Sequence, residues 1–153
     1  MFQSEKTVLL TGASEGLGRE LAIELSLGKY RLIIASRNEN RLKETQSLCQ
    51  SDPGQCETFP LDLTQLTDEN LKDLVTLVET KYGKIDYLIH NASLSQRSLA
   101  VMTEDEVERK IMETIFFGPI KLTKTLLPLL EKSEEPNIVL ISSLAGKFGV
   151  PLR

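Results

Sequence analysis

The chain has 153 residues, enough for one domain with a single hydrophobic core over residues 1–153. Hydrophobic residues make up 41% of it, charged residues 26%, and the formal net charge is −4, so no basic field exists to attract nucleic acid or an anionic membrane. No apolar run approaches the roughly 18 residues of a membrane span, and the N-terminus has no apolar targeting segment, so we expect a cytoplasmic protein without a membrane span.

The residues that most often bind metals are scarce in this sequence. Its two cysteines, Cys49 and Cys56, are too few and wrongly spaced for a zinc site, and His90 is its one histidine. We therefore expect reduced cysteines and no metal site.

The first predicted strand is apolar and leads into the turn Thr11–Gly18, which reads T-G-A-S-E-G-L-G. In such a turn Gly12 permits the sharp change of direction, Gly16 lets the backbone approach a pyrophosphate, and Gly18 lets the helix pack on its strand. The N–H groups and the dipole of the following helix favour a phosphate at this place. The pattern indicates a dinucleotide site, with an ordinary tight turn as the alternative. A Walker loop is excluded because no lysine follows the last glycine.

Short apolar runs alternate with amphipathic segments along the rest of the chain. The five predicted strands are Thr7–Leu10, Arg31–Ser36, Cys56–Leu61, Ile85–His90 and Asn137–Ser142. The pattern also predicts helices over Glu15–Gly28, Asn38–Gln50 and Thr67–Tyr82, a turn at Ser51–Gly54, and a long helix that a Thr103-x-x-Glu106 capping box opens and Ser133–Pro136 ends. Strands that alternate with helices in this way are typical of right-handed βαβ units. The predicted fold class is α/β, a Rossmann-type doubly wound parallel sheet.

Particular residues are expected to end these helices or to face the core. Gly28 and Gly83 are the expected ends of the first and third helices. Leu42 and Leu48 are expected on the inner face of the second helix, and Phe116 in the apolar stripe of the long one.

Six segments together resemble the short-chain dehydrogenase/reductase family, in its hydroxysteroid-dehydrogenase-like branch that includes proteins similar to dehydrogenase/reductase member 7. They are T-G-A-S-E-G-L-G at 11–18, A-S-R at 35–37, L-D-L-T at 61–64, H-N-A-S at 90–93, the stretch 112–128 and I-S-S-L-A-G-K at 141–147. They occur in the family's order and cover nearly the whole chain. The resemblance implies an NAD(P)-dependent oxidoreductase that acts on a small alcohol or carbonyl substrate.

The resemblance implies a cofactor site at the ends of the first four strands. Its residues would be Gly12, Ser14, Gly16, Leu17, Gly18, Arg37, Asp62, Leu63, Asn91 and Ala92. Arg37 offers a forked donor to the ribose 2′-phosphate of NADP, and Ser36 stands where NAD enzymes carry an acid, so NADP is favoured over NAD. Glu15 counts against NADP, because many NADP-preferring relatives have a basic residue there. The alternatives are a solvated loop arginine for Arg37 and a turn-capping role for Asp62.

The fourth strand ends in His90-Asn91-Ala92-Ser93 where the family has Asn-Asn-Ala-Gly. The family Asn, here Asn91, ties this strand to its neighbours, and the small residue after it admits the cofactor. Ser93 adds bulk next to that place, and we expect His90 to be structural rather than catalytic.

The resemblance implies catalysis by a Ser, a Tyr, a Lys and an Asn. Ser143 matches the family serine, with capping of the following turn as the alternative. The family's Tyr-x-x-x-Lys would lie beyond Arg153, and the tyrosines present belong to other elements. Ile115 replaces the family Asn. Because Pro119 has no N–H, we expect the carbonyl of Ile115 to be free at a kink and to keep the water-binding role that the family gives it.

We expect this chain to be a fragment of a longer oxidoreductase and inactive on its own. In the short chain, 138–141 would be an uncovered apolar edge and one flank of the long helix would be bare. A non-catalytic dinucleotide-binding module and a defective product are the alternatives. A homo-oligomer is compatible with a full-length form.

Overall fold

Five parallel strands form one sheet in the computed structural model, which describes residues 6–28, 30–50 and 55–152. The strands are β1 (Lys6–Thr11), β2 (Tyr30–Ser36), β3 (Cys56–Pro60), β4 (Tyr87–His90) and β5 (Asn137–Leu140), and their order in the sheet is β3-β2-β1-β4-β5. The predicted Rossmann-type sheet is therefore confirmed, with strand ends that lie within two residues of the predicted ones. The predicted turn at Ser51–Gly54 lies outside the described residues.

Helical segments connect these strands. The α-helices are α1 (Gly16–Ser26), α2 (Glu39–Leu48), α3 (Asp68–Lys81), α4 (Asp105–Met112) and α5 (Gly118–Leu130). A π-helical turn, Glu113–Phe117, joins α4 to α5, and 3-10 turns lie at Leu63–Gln65, Ala100–Met102 and Leu144–Gly146.

The sheet is doubly wound, because side chains that alternate along one strand enter two separate cores. On β1, Val8 and Leu10 belong to the core beneath α1 and α2, which also contains Leu42. Leu9 points to the opposite face and packs in the core that contains Leu74 of α3 and Leu122 of α5. These buried apolar side chains hold helices on both faces of the sheet.

The chain reverses direction across the sheet between β1 and β4. From β1 it moves outward to β2 and β3, then returns to place β4 on the other side of β1, followed by β5. In open α/β sheets such a reversal leaves a crevice outside the carboxyl ends of the strands, where ligands bind. The crevice in this chain therefore lies above the turn that follows β1.

Four predicted details of the helices are wrong. Gly28 follows α1 without a positive φ, and a side chain there would meet the ring of Tyr30, at 2.8 Å from a built Cβ. Leu48 and Phe116 are half exposed, because each lies on the outer side of its helix. Thr103 does not cap α4, since its hydroxyl donates to the carbonyl of Leu99 at 3.1 Å.

The long helix is interrupted before Pro119, where the missing proline N–H predicted a kink. The interruption takes the form of the π turn, in which the N–H of Gly118 donates to the carbonyl of Glu113. Gly118 also touches the 3-10 turn after β3, since a Cβ built on it would lie 2.7 Å from the carbonyl oxygen of Leu63. A widened helix therefore presses closely on the turn that follows β3.

The last strand has no layer over it in this structure. All four residues of β5 are exposed, including Ile138 and Leu140, as the sequence predicts for this edge. Within the described residues, no helix combines the length and apolar character that crossing a membrane requires.

Candidate functional site

The turn between β1 and α1 has the backbone that its glycines predict. Gly12 and Gly16 have φ values of +70° and +55°, a region that side chains with a Cβ rarely adopt. A Cβ built on Gly12 would lie 2.6 Å from the Cα of Ala92, so the turn passes directly against the chain that follows β4. A Cβ built on Gly18 would lie 2.1 Å from the carbonyl oxygen of Gly12, so α1 is in close contact with the turn. These contacts confirm the roles predicted for Gly12 and Gly18.

Gly16 differs from the other two glycines because nothing lies within 4 Å of a Cβ built on it. Its α-carbon faces open space at the first residue of α1. The side chain of Glu15, the N-cap residue, makes no capping hydrogen bond to this helix, so it does not satisfy the first N–H groups of α1. Exposed N–H groups at the positive end of an eleven-residue helix suit an anionic ligand that comes close to the backbone.

A cavity of about 260 Å³ opens above this turn, at the carboxyl ends of β1, β2 and β4. It is lined by Thr11, Gly12, Glu15, Gly16, Leu17, Gly18, Ala35, Ser36, Arg37, Leu61, Asp62, Leu63, Asn91, Ala92, Ser93 and Thr114. Nine of the ten predicted cofactor residues are in this set. Ser14 is the exception: it is buried beside the cavity, and its hydroxyl accepts a hydrogen bond from that of Ser36 at 2.8 Å.

The end of β2 forms one side of the cavity. Ser36 is partly buried, and Arg37, the next residue, is exposed at the rim. Within the described part of the chain, the guanidinium of Arg37 forms no hydrogen bond or ion pair. Such a cation fits an anionic group without first giving up a protein partner.

Asp62 has the turn-capping role that was its alternative reading, and it also lines the cavity. Its Oδ1 accepts hydrogen bonds from the backbone N–H and the hydroxyl of Thr64, at 2.9 and 2.8 Å. Leu63 follows as the first residue of the 3-10 turn and is buried. The two residues are therefore held firmly at the cavity wall.

Asn91 and Thr11 join the end of β4 to the end of β1. The Thr11 hydroxyl accepts from the N–H groups of Asn91 and Ala92, both at 3.2 Å, and donates to the carbonyl of Ile89 at 3.3 Å. The side-chain amide of Asn91 donates to the carbonyls of Thr11 and Gly12. The prediction that Asn91 ties β4 to its neighbours is confirmed. Ser93 lies exposed at the cavity wall.

His90 lies on the opposite side of β4 and faces α5. Its Nε2 is 2.8 Å from the hydroxyl of Thr123, and the residue is 6% exposed. Burial lowers the pKa of His90 to about 4, so the ring is neutral at pH 7. It does not line the cavity, which agrees with a structural role. Among the described residues, no three His, Cys, Asp or Glu side chains come together as a metal site would require.

Seven cavity residues lie outside the predicted cofactor set: Thr11, Glu15, Ala35, Ser36, Leu61, Ser93 and Thr114. Thr114 reaches the cavity from the π turn, where its own hydroxyl donates to the carbonyl of Lys110 at 2.8 Å. A regular helix was predicted there, and the periodicity of a regular helix gave no reason to turn this residue toward β1. Glu15 stands directly before Gly16 in the turn, and this position is the sequence signal that places it at the cavity wall.

Ser143, the predicted catalytic residue, stands apart from the cavity lining. It caps the 3-10 turn after β5, where its hydroxyl accepts from the N–H of Ala145 at 3.2 Å, and it is exposed. The tyrosines do not line the cavity either: Tyr30 and Tyr87 pack edge to face, and burial raises the pKa of Tyr82 to about 12. None of these three can therefore act on a ligand in the cavity.

Comparison with known proteins places this geometry in context. A model of the short chain dehydrogenase family matches residues 6–153. The chain is 37% identical over 150 residues to dehydrogenase/reductase SDR family member 7B of Bos taurus, a match that covers 95% of this chain and 46% of that protein. It is 38% identical over 152 residues to member 7C of Homo sapiens, covering 97% of this chain and 49% of the relative.

Solved structures with the same fold include two that hold a cofactor. A short chain dehydrogenase from Shigella flexneri, complexed with NADP, matches with a TM-score of 0.89 and 30% identity over 97% of this chain and 63% of that one. One from Escherichia coli, complexed with NADPH, matches with a TM-score of 0.89 and 31% identity over the same shares. The chain spans about half the length of the curated relatives it matches.

Proposed function

Because this chain belongs to the short chain dehydrogenase family, we propose that residues 1–153 are the cofactor-binding domain of an NADP-dependent oxidoreductase. The observation that carries the proposal is the cavity at the carboxyl ends of β1, β2 and β4. It has the open α-carbon of Gly16 at a helix N-terminus and the exposed cation of Arg37 at its rim. The NADP and NADPH complexes of the Shigella and Escherichia proteins support the choice of cofactor.

The residues of the cavity fit the parts of a dinucleotide. The first N–H groups of α1 would bind the pyrophosphate, which Gly16 lets approach. Arg37 and Ser36 would hold the ribose 2′-phosphate, and Asp62 would accept from the adenine amino group. The small side chain of Ala92 would leave room for the cofactor at the cavity wall.

The substrate would be a small alcohol or carbonyl compound. When bound, the nicotinamide supplies the hydride acceptor or donor for such a compound. Ser143 would hydrogen-bond the substrate oxygen from the end of β5. The 153 residues contain no Tyr-x-x-x-Lys, the pair that would move a proton to and from that oxygen. We therefore propose that this polypeptide alone binds cofactor without turnover, and that catalysis belongs to a longer form.

A non-catalytic dinucleotide-binding module is the second candidate. It is favoured by the position of Ser143, the one catalytic group of the family that this chain contains, which stands outside the lining of the cavity. The two candidates agree on cofactor binding and differ on hydride transfer.

The test is a cofactor-dependent melting experiment on the chain. NADPH at a hundred times its Kd stabilises a binding protein by about 2.7 kcal/mol, which would raise Tm by roughly 5–10 °C for a domain of this size. Arg37→Ala should reduce the shift with NADPH and leave the shift with NADH unchanged. No shift with either cofactor would overturn the proposal. Hydride transfer to an alcohol or carbonyl panel by a form extended past Arg153 would then separate the oxidoreductase from the binding module.

A further inference from the structure

An ion pair joins the two helices that border the adenosine end of the cavity. The carboxylate of Glu15, at the N-cap of α1, pairs with the guanidinium of Arg41 in the first turn of α2. Both side chains are at least half exposed. The backbone N–H of Arg41 donates to the side chain of Asn38 at 3.0 Å. This bond holds the backbone of Arg41 in place at the start of α2.

The charged side chains near Glu15 differ in whether they line the cavity and in which partner they have. Glu15 and Arg37 both line the cavity, whereas Arg41 does not. The other two cations on these helices have acidic partners of their own: Arg19 lies 3.3 Å from Glu44, and Lys43 lies 2.8 Å from Glu39. Arg41 is therefore the cation that offsets the carboxylate of Glu15 at the wall of the cavity.

We propose that Arg41 sets the preference of this chain for a 2′-phosphorylated cofactor by neutralising Glu15. The inference rests on the proposed function. An unpaired Glu15 carboxylate at the wall that holds Arg37 would repel a dianionic 2′-phosphate and offset the attraction of Arg37. With Arg41 in place, the net charge that the 2′-phosphate meets is that of Arg37. An exposed ion pair adds little to stability, so substitutions at Glu15 and Arg41 should leave the fold intact.

The experiment measures the Kd of 2′,5′-ADP and of 5′-AMP by calorimetry for wild type, Arg41→Met, Glu15→Gln and the double variant. The two ligands differ only in the 2′-phosphate, so the ratio of their Kd values reports on that group alone. Arg41→Met should weaken 2′,5′-ADP about tenfold and 5′-AMP by a clearly smaller factor, because 2′,5′-ADP carries the additional dianionic 2′-phosphate and exposure to water keeps the repulsion moderate. The double variant should return to within about threefold of wild type. The effect of Arg41→Met should shrink as ionic strength rises, because both charges are exposed.

Lys43→Met is the matched control, since it removes one positive charge from the same helix without uncovering Glu15. An Arg41→Met defect that Glu15→Gln does not relieve would overturn the proposal, as would equal losses for the two ligands or an equal loss in Lys43→Met. If wild-type protein binds NADPH but the ratio of the two Kd values is the same in wild type and all variants, this inference is refuted and the proposed function stands. Wild-type protein that binds neither NADPH nor 2′,5′-ADP would refute both.

Discussion

The side-chain amide of Asn91 lies 3.2 Å from the backbone carbonyl oxygen of Gly12, so the chain after β4 holds the glycine-rich turn after β1 in place. The same amide reaches the carbonyl of Thr11 at 3.1 Å. One side chain thus satisfies two carbonyls of the turn that would present its N–H groups to a pyrophosphate. The geometry of the candidate site therefore depends on Asn91, which follows a different strand. For this reason the glycine pattern of the turn, taken alone, is only a weak indication of a dinucleotide site.

The first prediction concerns this amide. Asn91→Ala should lower the free energy of unfolding by about 1–3 kcal/mol, because two partly buried carbonyls lose their donor. Urea unfolding measures the loss. Asn137→Ala is the control, since its amide makes a comparable bond to the carbonyl of Glu135, at 2.9 Å, on the exposed surface. It should cost less than about 0.5 kcal/mol. Equal losses in the two variants would show that the Asn91 bonds contribute nothing special to the turn.

The second prediction separates two glycines of the turn. Gly18→Ala should destabilise the chain by more than about 3 kcal/mol, because its methyl group would lie 2.1 Å from a carbonyl oxygen that cannot easily move. Gly16→Ala should cost about 1 kcal/mol, the strain of a positive φ in open space. It should nevertheless abolish NADPH binding, since the methyl group would fill the side that faces the pyrophosphate. Urea unfolding and an NADPH titration give the two readouts. Gly16→Ala protein with unchanged NADPH affinity would contradict the assignment.

The architecture was predictable because apolar residues repeat with a different spacing in strands and in amphipathic helices. The alternation of Val8, Leu9 and Leu10 between two cores follows directly from the two-residue repeat of a strand. Predicted strand ends were close for the same reason. Apolar side chains alone were a poorer guide to the buried faces, as Leu48 and Phe116 show, because each of these two lies on the outer side of its helix.

The candidate site was predictable at positions where the backbone conformation requires one residue type, such as glycine. It was not predictable at positions that reach the cavity only through tertiary contacts. The glycines of a strand-to-helix turn are recognisable from their spacing in the sequence. The family resemblance added Arg37 and Asn91 to the predicted site. Thr114 enters the cavity only because the helix widens before Pro119, which periodicity does not encode. The pairing of Glu15 with Arg41 depends on two helices that are brought side by side by the sheet.

The third prediction concerns Asp86, a carboxylate directly before β4 that is 2% exposed. Burial alone raises its pKa, but bonds from the hydroxyl of Ser133, the ammonium of Lys84 at 2.9 Å and the N–H of Thr7 at 2.8 Å outweigh that effect and lower it below the usual range. Because the pKa of Asp86 is lower in the folded state, its charged carboxylate stabilises the folded chain at pH values above the unfolded-state pKa of about 4. This stabilisation is lost as the pH falls through the folded-state pKa.

Asp86→Asn should therefore cost about 3 kcal/mol at pH 7, because the substitution removes one charge from a buried hydrogen-bonded group. Its difference from wild type should narrow below about pH 4, as the wild-type carboxylate becomes protonated. Urea unfolding at pH 7, 4 and 3 measures this, with the exposed Asp73→Asn as the control. A difference that stays constant over this range would show that the charge of Asp86 does not stabilise the fold.

The fourth prediction concerns His90, whose pKa burial lowers to about 4. The unfolded chain binds a proton there near pH 6.5 and the folded chain does not, so acidification between these values favours unfolding. This one group should cost wild type about 2 kcal/mol between pH 7 and pH 5, and His90→Asn should remove that part of the pH dependence. Thr123→Val is the control, because it removes the hydroxyl 2.8 Å from the ring and keeps the buried imidazole, so its pH dependence should remain. Equal slopes for wild type and His90→Asn would mean that His90 is protonated in the folded chain and faces water, against the geometry described.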